Sequence, residues 1–325
     1  MTWFASAPAN IALIKYMGKS ANNNVLSHPN NTRNTPTNPS LSYTLNHLQS
    51  FVELEHSSTS CDQWQPLPGH TPLALNEQEQ TRFLSHLSFI KKQFHYSACF
   101  YVRSSNNFPA SCGLASSASS FAALTRCAVQ AICEQQNRPL PSIQDLSALS
   151  RQGSGSSCRS FFEPFALWQQ DYAEALPLPY PSLRHMTVIV SQAQKKVSSS
   201  QAHQAVFTSL QFENRPQRAQ TRLTQLIHAL QQQDWFRAYQ LTWQEFWDMH
   251  ALFETATPPF GYFLPGTMMA LHLLREYWHI HQDGPLVTMD AGPNIHLLFR
   301  PEQQTVYQEI ADTLSPHFQL FTPHI

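Results

Sequence analysis

Apolar and polar positions along this chain repeat with two periods, and together they predict a protein of mixed helices and strands. Residues 11–14, Ile-Ala-Leu-Ile, form a continuous apolar run, the pattern of a strand buried on both faces. Residues 35–45 read as a turn leading into a strand, and residues 51–55 alternate as a half-exposed strand does, which predicts a hairpin. Residues 57–72 are polar, with Pro and Gly, and predict a loop. Apolar runs at 99–102, 186–190 and 318–321 predict further strands, and 286–299 reads as strand, tight turn and strand. Helical spacing appears at 77–94, where Phe83, Leu84, Leu87, Ile90 and Phe94 share one side. A second helix carries Leu124, Ala128, Val129 and Ile132, and Pro139 and Pro141 break the chain after it. Ser142 with Asp145 predicts a variant capping box for the next helix. Further helices are predicted over 218–233, 236–252, 266–279 and 301–314. Pro164 predicts an edge or bulged strand near it.

Length and composition narrow the class. A chain of 325 residues can bury a large core and hold two lobes, divided near the 186–190 strand into 1–184 and 185–325. Charged residues make up 13% of the chain, about half the usual share of ~25%, and the formal net charge is −1. No global field therefore recruits nucleic acid or an anionic membrane, and any anion site has to be built locally. The six cysteines form no Cys-x-x-Cys pair and no zinc spacing, as expected of free thiols in a reducing cytosol. No segment reads as a signal peptide or is apolar for long enough to cross a bilayer, so a soluble, cytoplasmic protein is expected.

Four segments carry candidate chemistry. Residues 106–120, between a strand and a helix, hold five serines and Gly113, so backbone N–H groups and hydroxyls can come close to a phosphate at a helix start. The segment lacks the Gly-Lys-Ser/Thr end of the common P-loop and the three glycines of a dinucleotide site. Lys15, Tyr16 and Lys19 cluster at the end of the first strand and can offer donors to an anion. Residues 151–160 combine Gly153 and Gly155 with four serines beside Arg151 and Arg159, and an arginine can fork onto a carboxylate or phosphate. Asp290 opens the turn at 290–294, and His250 sits on an apolar helix face, where a satisfied core histidine is the expectation. On residue types alone, each segment fits equally a capped helix, a solvated polar loop or a self-capping turn.

Their order along the chain resembles the diphosphomevalonate decarboxylases of the GHMP kinase superfamily. Residues 109–117 resemble that family's Pro-x-x-x-Gly-Leu-x-Ser-Ser phosphate loop, and residues 10–19 its Asn-Ile-Ala-x-Ile-Lys-Tyr-Trp-Gly-Lys, with Met17 in place of Trp. Residues 151–160 resemble Arg-x-Gly-Ser-Gly-Ser-Ala-Cys-Arg-Ser, with Ser157 for Ala, and 290–294 is its Asp-Ala-Gly-Pro-Asn. Residues 195–200 resemble its Lys-Lys-x-x-Ser-Ser run, and Ser200 stands where some relatives place an arginine. The resemblance implies an α+β chain with the GHMP kinase fold: an N-terminal lobe like ribosomal protein S5 domain 2, a ferredoxin-like C-terminal lobe, and the active site in the cleft between them. It implies catalytic roles for Asp290, Arg159, Lys15 and Ser116. It implies substrate contacts from Asn10, Tyr16, Lys19, Ser154, Ser156, Arg159 and Ala291. ATP contacts fall on Asn106, Pro109, Ser111, Cys112, Gly113, Leu114, Ala115, Ser116, Ser117, Lys196 and Ser199. ATP and Mg²⁺ are the implied cofactors, no metal ligand is assigned, and relatives are often dimers.

The chemistry so implied is phosphorylation of a tertiary hydroxyl, then loss of phosphate and CO₂ to leave isopentenyl diphosphate. A carboxylate suits the hydroxyl, and the lysines offset phosphate charge. A phosphotransferase that stops at the phosphorylated product, or that uses mevalonate lacking the diphosphate, shares most of these residues. A non-catalytic binding protein on the same scaffold has no need to keep Asp290, Arg159 and Lys15.

Overall fold

The computed structural model of the chain describes residues 1–20, 34–68, 75–108, 116–193 and 195–322. In chain order the elements are β1 (Thr2–Ile14), β2 (Ser40–Ser57), β3 (Gln63–Pro66), α1 (Glu77–Gln93), β4 (Cys99–Asn106), α2 (Ser116–Gln135) and α3 (Ile143–Gly153). A 3-10 helix, Gly155–Phe161, follows, then β5 (Phe165–Trp168), β6 (Ala173–Ala175), β7 (Arg184–Ile189) and α4 (Ser199–Ala205). The chain continues with α5 (Arg215–Gln231), α6 (Trp235–Glu254), α7 (Pro265–His281), β8 (Leu286–Thr288), β9 (Ile295–Phe299), α8 (Gln304–Leu314) and β10 (Gln319–Phe321).

Two sheets result. In the first, β2 pairs antiparallel with β1 along most of its length, while β4 and β5 pair with its two ends. The expected hairpin at 35–55 is one 18-residue strand instead. Register shifts at Pro8/Ala9 and Ala12/Ile14 let β1 follow it without a turn, because a bulge absorbs a residue and bends the strand. The expected loop at 57–72 contains β3, which pairs parallel with β4; its sequence, Gln-Trp-Gln-Pro, is too polar and short to stand out. Pro164 precedes β5 rather than lying in an edge strand. Its carbonyl accepts from the Thr44 N–H, and β5 runs between β2 and β6. The second sheet runs β10-β7-β9-β8, all antiparallel.

The largest apolar cluster joins the lobes. Ile11 and Leu13 of β1 and Tyr43 of β2 belong to the same core as Met186, Leu223, Phe246 and Leu297. The apolar run at 11–14 therefore packs Ile11, Leu13 and Ile14 into the core shared by both lobes, while Ala12 lines the cleft. A buried charge network reinforces the joint. Glu245, in the buried stripe of α6, pairs with Arg215 and with Arg222 at 2.8 Å, and its Oε1 accepts the Lys15 N–H at 3.0 Å. Arg215 and Glu245 are fully enclosed, so neither charge has water to fall back on. Glu245→Ala is expected to lower stability in urea unfolding by about 3–5 kcal/mol, the cost of an uncompensated buried charge. A loss under about 1 kcal/mol would mean that Asp248, already 3.3 Å from Arg215, moves in to neutralise it.

Candidate active site

The site lies in a cleft of about 830 Å³ where β1, α2, the 3-10 helix, α4 and the β8–β9 turn converge, a volume suited to a small-molecule ligand. The end of β1 supplies Lys15. Its backbone is pinned on both sides: Glu245 accepts its N–H, and its carbonyl accepts from Asn38 Nδ2 at 2.8 Å. The side chain is thereby aimed at the β8–β9 turn, where Lys15 Nζ meets Asp290 Oδ1 at 2.8 Å.

That turn is held by its own sequence. The Gly292 N–H donates to the Asp290 carbonyl at 2.7 Å, and Asn294 Oδ1 accepts from the backbone N–H groups of Val190 and Ser191. Thr288 Oγ1 donates to the Ala12 carbonyl at 3.0 Å, tying the turn to β1. His250 Nε2 donates to the Asp290 carbonyl at 3.2 Å and its ring stacks on Phe263, so it is a core histidine, but only half satisfied, because its buried Nδ1 has no hydrogen-bond partner among the described residues. Burial lowers its pKa to about 3, leaving it neutral. Lys15 is almost fully enclosed, at 2% side-chain exposure, whereas 34% of the Asp290 side chain opens on the cleft. Burial alone raises the Asp290 pKa, but the charges of Lys15, His296 and Arg159 outweigh it and hold the carboxyl below its usual value. The group is an ionised carboxylate at neutral pH.

Arg159 comes from the segment read as a loop, which is a 3-10 helix. Its Nε donates to Asn10 Oδ1 at 3.1 Å and its Nη1 to Ser40 Oγ at 2.8 Å. Asn10 is fixed in turn by Ser160 Oγ at 2.8 Å. These bonds leave Nη2 for the cleft that the residue lines. Arg151 does not share this role. It is buried against Asp171, with Nη2 to Oδ1 at 3.0 Å, and braces the segment. Gly155 is required here, because a Cβ would stand 2.6 Å from the Tyr16 ring.

Tyr16, Lys19, Asn106, Ser116, Ser117, Ser154, Ser156, Ser199 and Ala291 also line this cleft, together with Asn10, Lys15, Arg159 and Asp290. Pro109, Ser111, Cys112, Gly113, Leu114 and Ala115 lie outside the described residues. Lys196 is exposed and does not line the cleft; the neighbouring Lys195 does, donating to the Ala291 carbonyl. The polar run at 195–200 ends in an unforeseen helix, α4, capped by Ser198 and Gln201. Among the cleft residues that sequence reasoning missed are Lys195, His203 and Arg82. Arg82 lies on the polar side of α1, where it reads as any solvated arginine. Packing brings it beside Lys19, where it donates to the Gly153 carbonyl at 2.9 Å and caps the Phe121 ring.

Residues 7–177 match the family model of the diphosphomevalonate decarboxylase-like N-terminal domain, and residues 185–322 match that of the mevalonate 5-diphosphate decarboxylase C-terminal domain. The chain belongs to the diphosphomevalonate decarboxylase family. A family member from Ganoderma lucidum is 30% identical, over 97% of this chain and 81% of its own length. A solved mevalonate diphosphate decarboxylase from Legionella pneumophila superposes at a TM-score of 0.92 with 47% identity, covering 99% of this chain and 100% of that one. Another solved decarboxylase, MDDEF in complex with MVAPP, AMPPCP and magnesium, superposes at 0.85 with 29% identity and 99% of both chains covered. The expected α+β GHMP kinase fold, with two lobes and a cleft between them, is thus borne out. No described helix of this decarboxylase is long and apolar enough to cross a membrane.

Proposed function

We propose that Asp290, Lys15 and Arg159 form the catalytic group and that the chain divides functionally at 184/185, the two lobes sharing the cleft. The reaction is the ATP-dependent decarboxylation of (R)-5-diphosphomevalonate to isopentenyl diphosphate, with ADP, phosphate and CO₂, in the mevalonate pathway. The single observation that carries these roles is the Asp290–Lys15 pair at 2.8 Å, open to the cleft on the carboxylate side. Asp290 accepts the hydrogen bond of the 3-hydroxyl and receives its proton as the oxygen bonds to the transferred phosphoryl group. Lys15 holds the carboxylate in place and offsets the negative charge brought by ATP; one pair at ~4 Å is worth about 4 kcal/mol at an effective dielectric of ~20. Phosphate then departs with the C–O pair, and the electrons of the carboxylate-bearing C–C bond form the alkene as CO₂ leaves. Arg159, clamped by Asn10 and Ser40, orients that carboxylate along the breaking bond.

Tyr16, Lys19, Ser154, Ser156 and Arg82 cradle the diphosphate, and Ser116, Ser117, Asn106, Lys195 and Ser199 line the nucleotide side. Among the described residues no three His, Cys, Asp or Glu side chains group into a metal site. That fits Mg²⁺, which is commonly held by one or two protein oxygens together with substrate phosphates. The Ser116 hydroxyl is a cleft oxygen suited to it. When bound, Mg²⁺ spreads the charge of the transferring phosphoryl group. A cytoplasmic dimer completes the proposal, and its mass in solution checks the second term.

Incubation of the purified chain with Mg-ATP and diphosphomevalonate is expected to give ADP, phosphate, CO₂ and isopentenyl diphosphate in equal amounts. ADP without CO₂ would show a phosphotransferase that stops half-way. Arg82→Gln is expected to raise KM for diphosphomevalonate roughly tenfold, the loss of about 1.4 kcal/mol of charged contact. A rise confined to KM for ATP would move Arg82 to the nucleotide.

A further inference from the structure

His203 lines the same cleft as Asp290 and has no part in the roles assigned above. It projects from α4 with its ring 4.4 Å from that of Tyr16, and only 8% of it is exposed. The Gly18 N–H donates to its Nδ1 at 3.0 Å. A backbone N–H can only donate, so Nδ1 is the bare nitrogen, and the neutral ring carries its hydrogen on Nε2. Gly18 is held at φ +92°, and a Cβ there would strike Phe212 and Thr37, so this donor is fixed in place. Burial, with the nearby charges of Lys19 and Arg82, lowers the ring's pKa to about 3. The described hydrogen bonds give Nε2 no protein partner, yet His203 lines the cleft beside Lys19, Arg82 and Ser200.

The cations fall into two groups. Lys15, Arg159 and Lys195 act on Asp290, while Lys19 and Arg82 act on His203, Arg82 also acts on Lys19, and Glu79 is the acid nearest in effect to Arg82. Neither Lys19 nor Arg82 has an acidic partner within 4.0 Å among the described salt bridges. The second group therefore suits the part of an anionic substrate most remote from the reacting carbon.

We propose that His203 is a substrate-binding and specificity-determining residue, donating from Nε2 to the terminal phosphate of the substrate diphosphate. This rests on the reading above that Tyr16, Lys19 and Arg82 cradle that diphosphate. The ring adds a directed hydrogen bond without a third charge beside two crowded cations, so it selects for geometry where the cations select for charge.

The test measures KM and kcat for diphosphomevalonate, KM for ATP, and the dissociation constant of 5-phosphomevalonate, which lacks the terminal phosphate. His203→Met, which keeps bulk against Tyr16 but removes the donor, is expected to raise KM for diphosphomevalonate about tenfold. KM for ATP and phosphomevalonate binding are expected to stay within about twofold, and His203→Gln, which restores a neutral donor, to recover part of the loss. His203→Phe gives the same readouts if the Met variant does not fold. Equal weakening of both mevalonate ligands, or no change in either, overturns the proposal. Lys19→Met runs in parallel: if it too leaves diphosphomevalonate binding unchanged, the cradle itself is misplaced, whereas a loss in Lys19→Met alone refutes the role of His203.

Discussion

Asp290→Asn is expected to cut kcat about 10³-fold, within the 10²–10⁴ that a positioned acid or base supplies, while the dissociation constant for ATP changes by less than about threefold. Asparagine keeps the shape of the side chain and can still hydrogen-bond the hydroxyl. What it loses is the negative charge that accepts the developing proton. It also leaves Lys15, at 2% exposure, without its counter-charge, so part of the loss arises from a displaced ammonium. Single-turnover release of ADP, with the melting temperature recorded for the same sample, separates chemistry from folding. Turnover within tenfold of the parent would remove Asp290 from its role.

Arg159→Lys is expected to lower kcat/KM about 10²-fold, the scale of a misplacement of roughly 1 Å, and to raise the ratio of ADP to CO₂ above one. Arg159 spends Nε on Asn10 and Nη1 on Ser40, and presents what remains to the cleft. A lysine ammonium is a single point of charge on a flexible stem. It can satisfy one of these anchors or the substrate carboxylate, but not all three in the guanidinium plane. Phosphorylation needs no alignment of the carboxylate and is affected less than C–C cleavage, so ADP accumulates ahead of CO₂. A mild loss with the ratio held at one would place the carboxylate elsewhere.

Elements with a strong local period were legible in the sequence. Helix 77–94 is found at Glu77–Gln93, and the Ser142/Asp145 box caps α3 as expected. The strand-turn-strand at 286–299 is β8 and β9. The errors fall where pairing partners, not side-chain pattern, decide the outcome. β2 reads as two strands because residues 46–49 interrupt the apolar pattern, yet β1 keeps pairing across them through a bulge. β3 exists because β4 offers it an edge. The 3-10 helix at 155–161 is compact because Ser150, Ser154 and Ser157 bond one another, which a run of glycines and serines does not announce.

The site divides in the same way. Lys15, Arg159 and Asp290 could be singled out from their motifs, because a motif records which residue types must stand next to one another in the chain. Residue types alone could not separate Arg159 from Arg151, and only the motif singled out Arg159, which lines the cleft while Arg151 braces Asp171. The motif did not separate Lys195 from Lys196, and the structure puts Lys195 on the cleft. Arg82 and His203 had no motif at all. Their places come from α1 and α4 closing on the end of β1, contacts between segments more than 60 residues apart, so only the folded chain could bring a cation and an imidazole together beside Lys19 in the cleft.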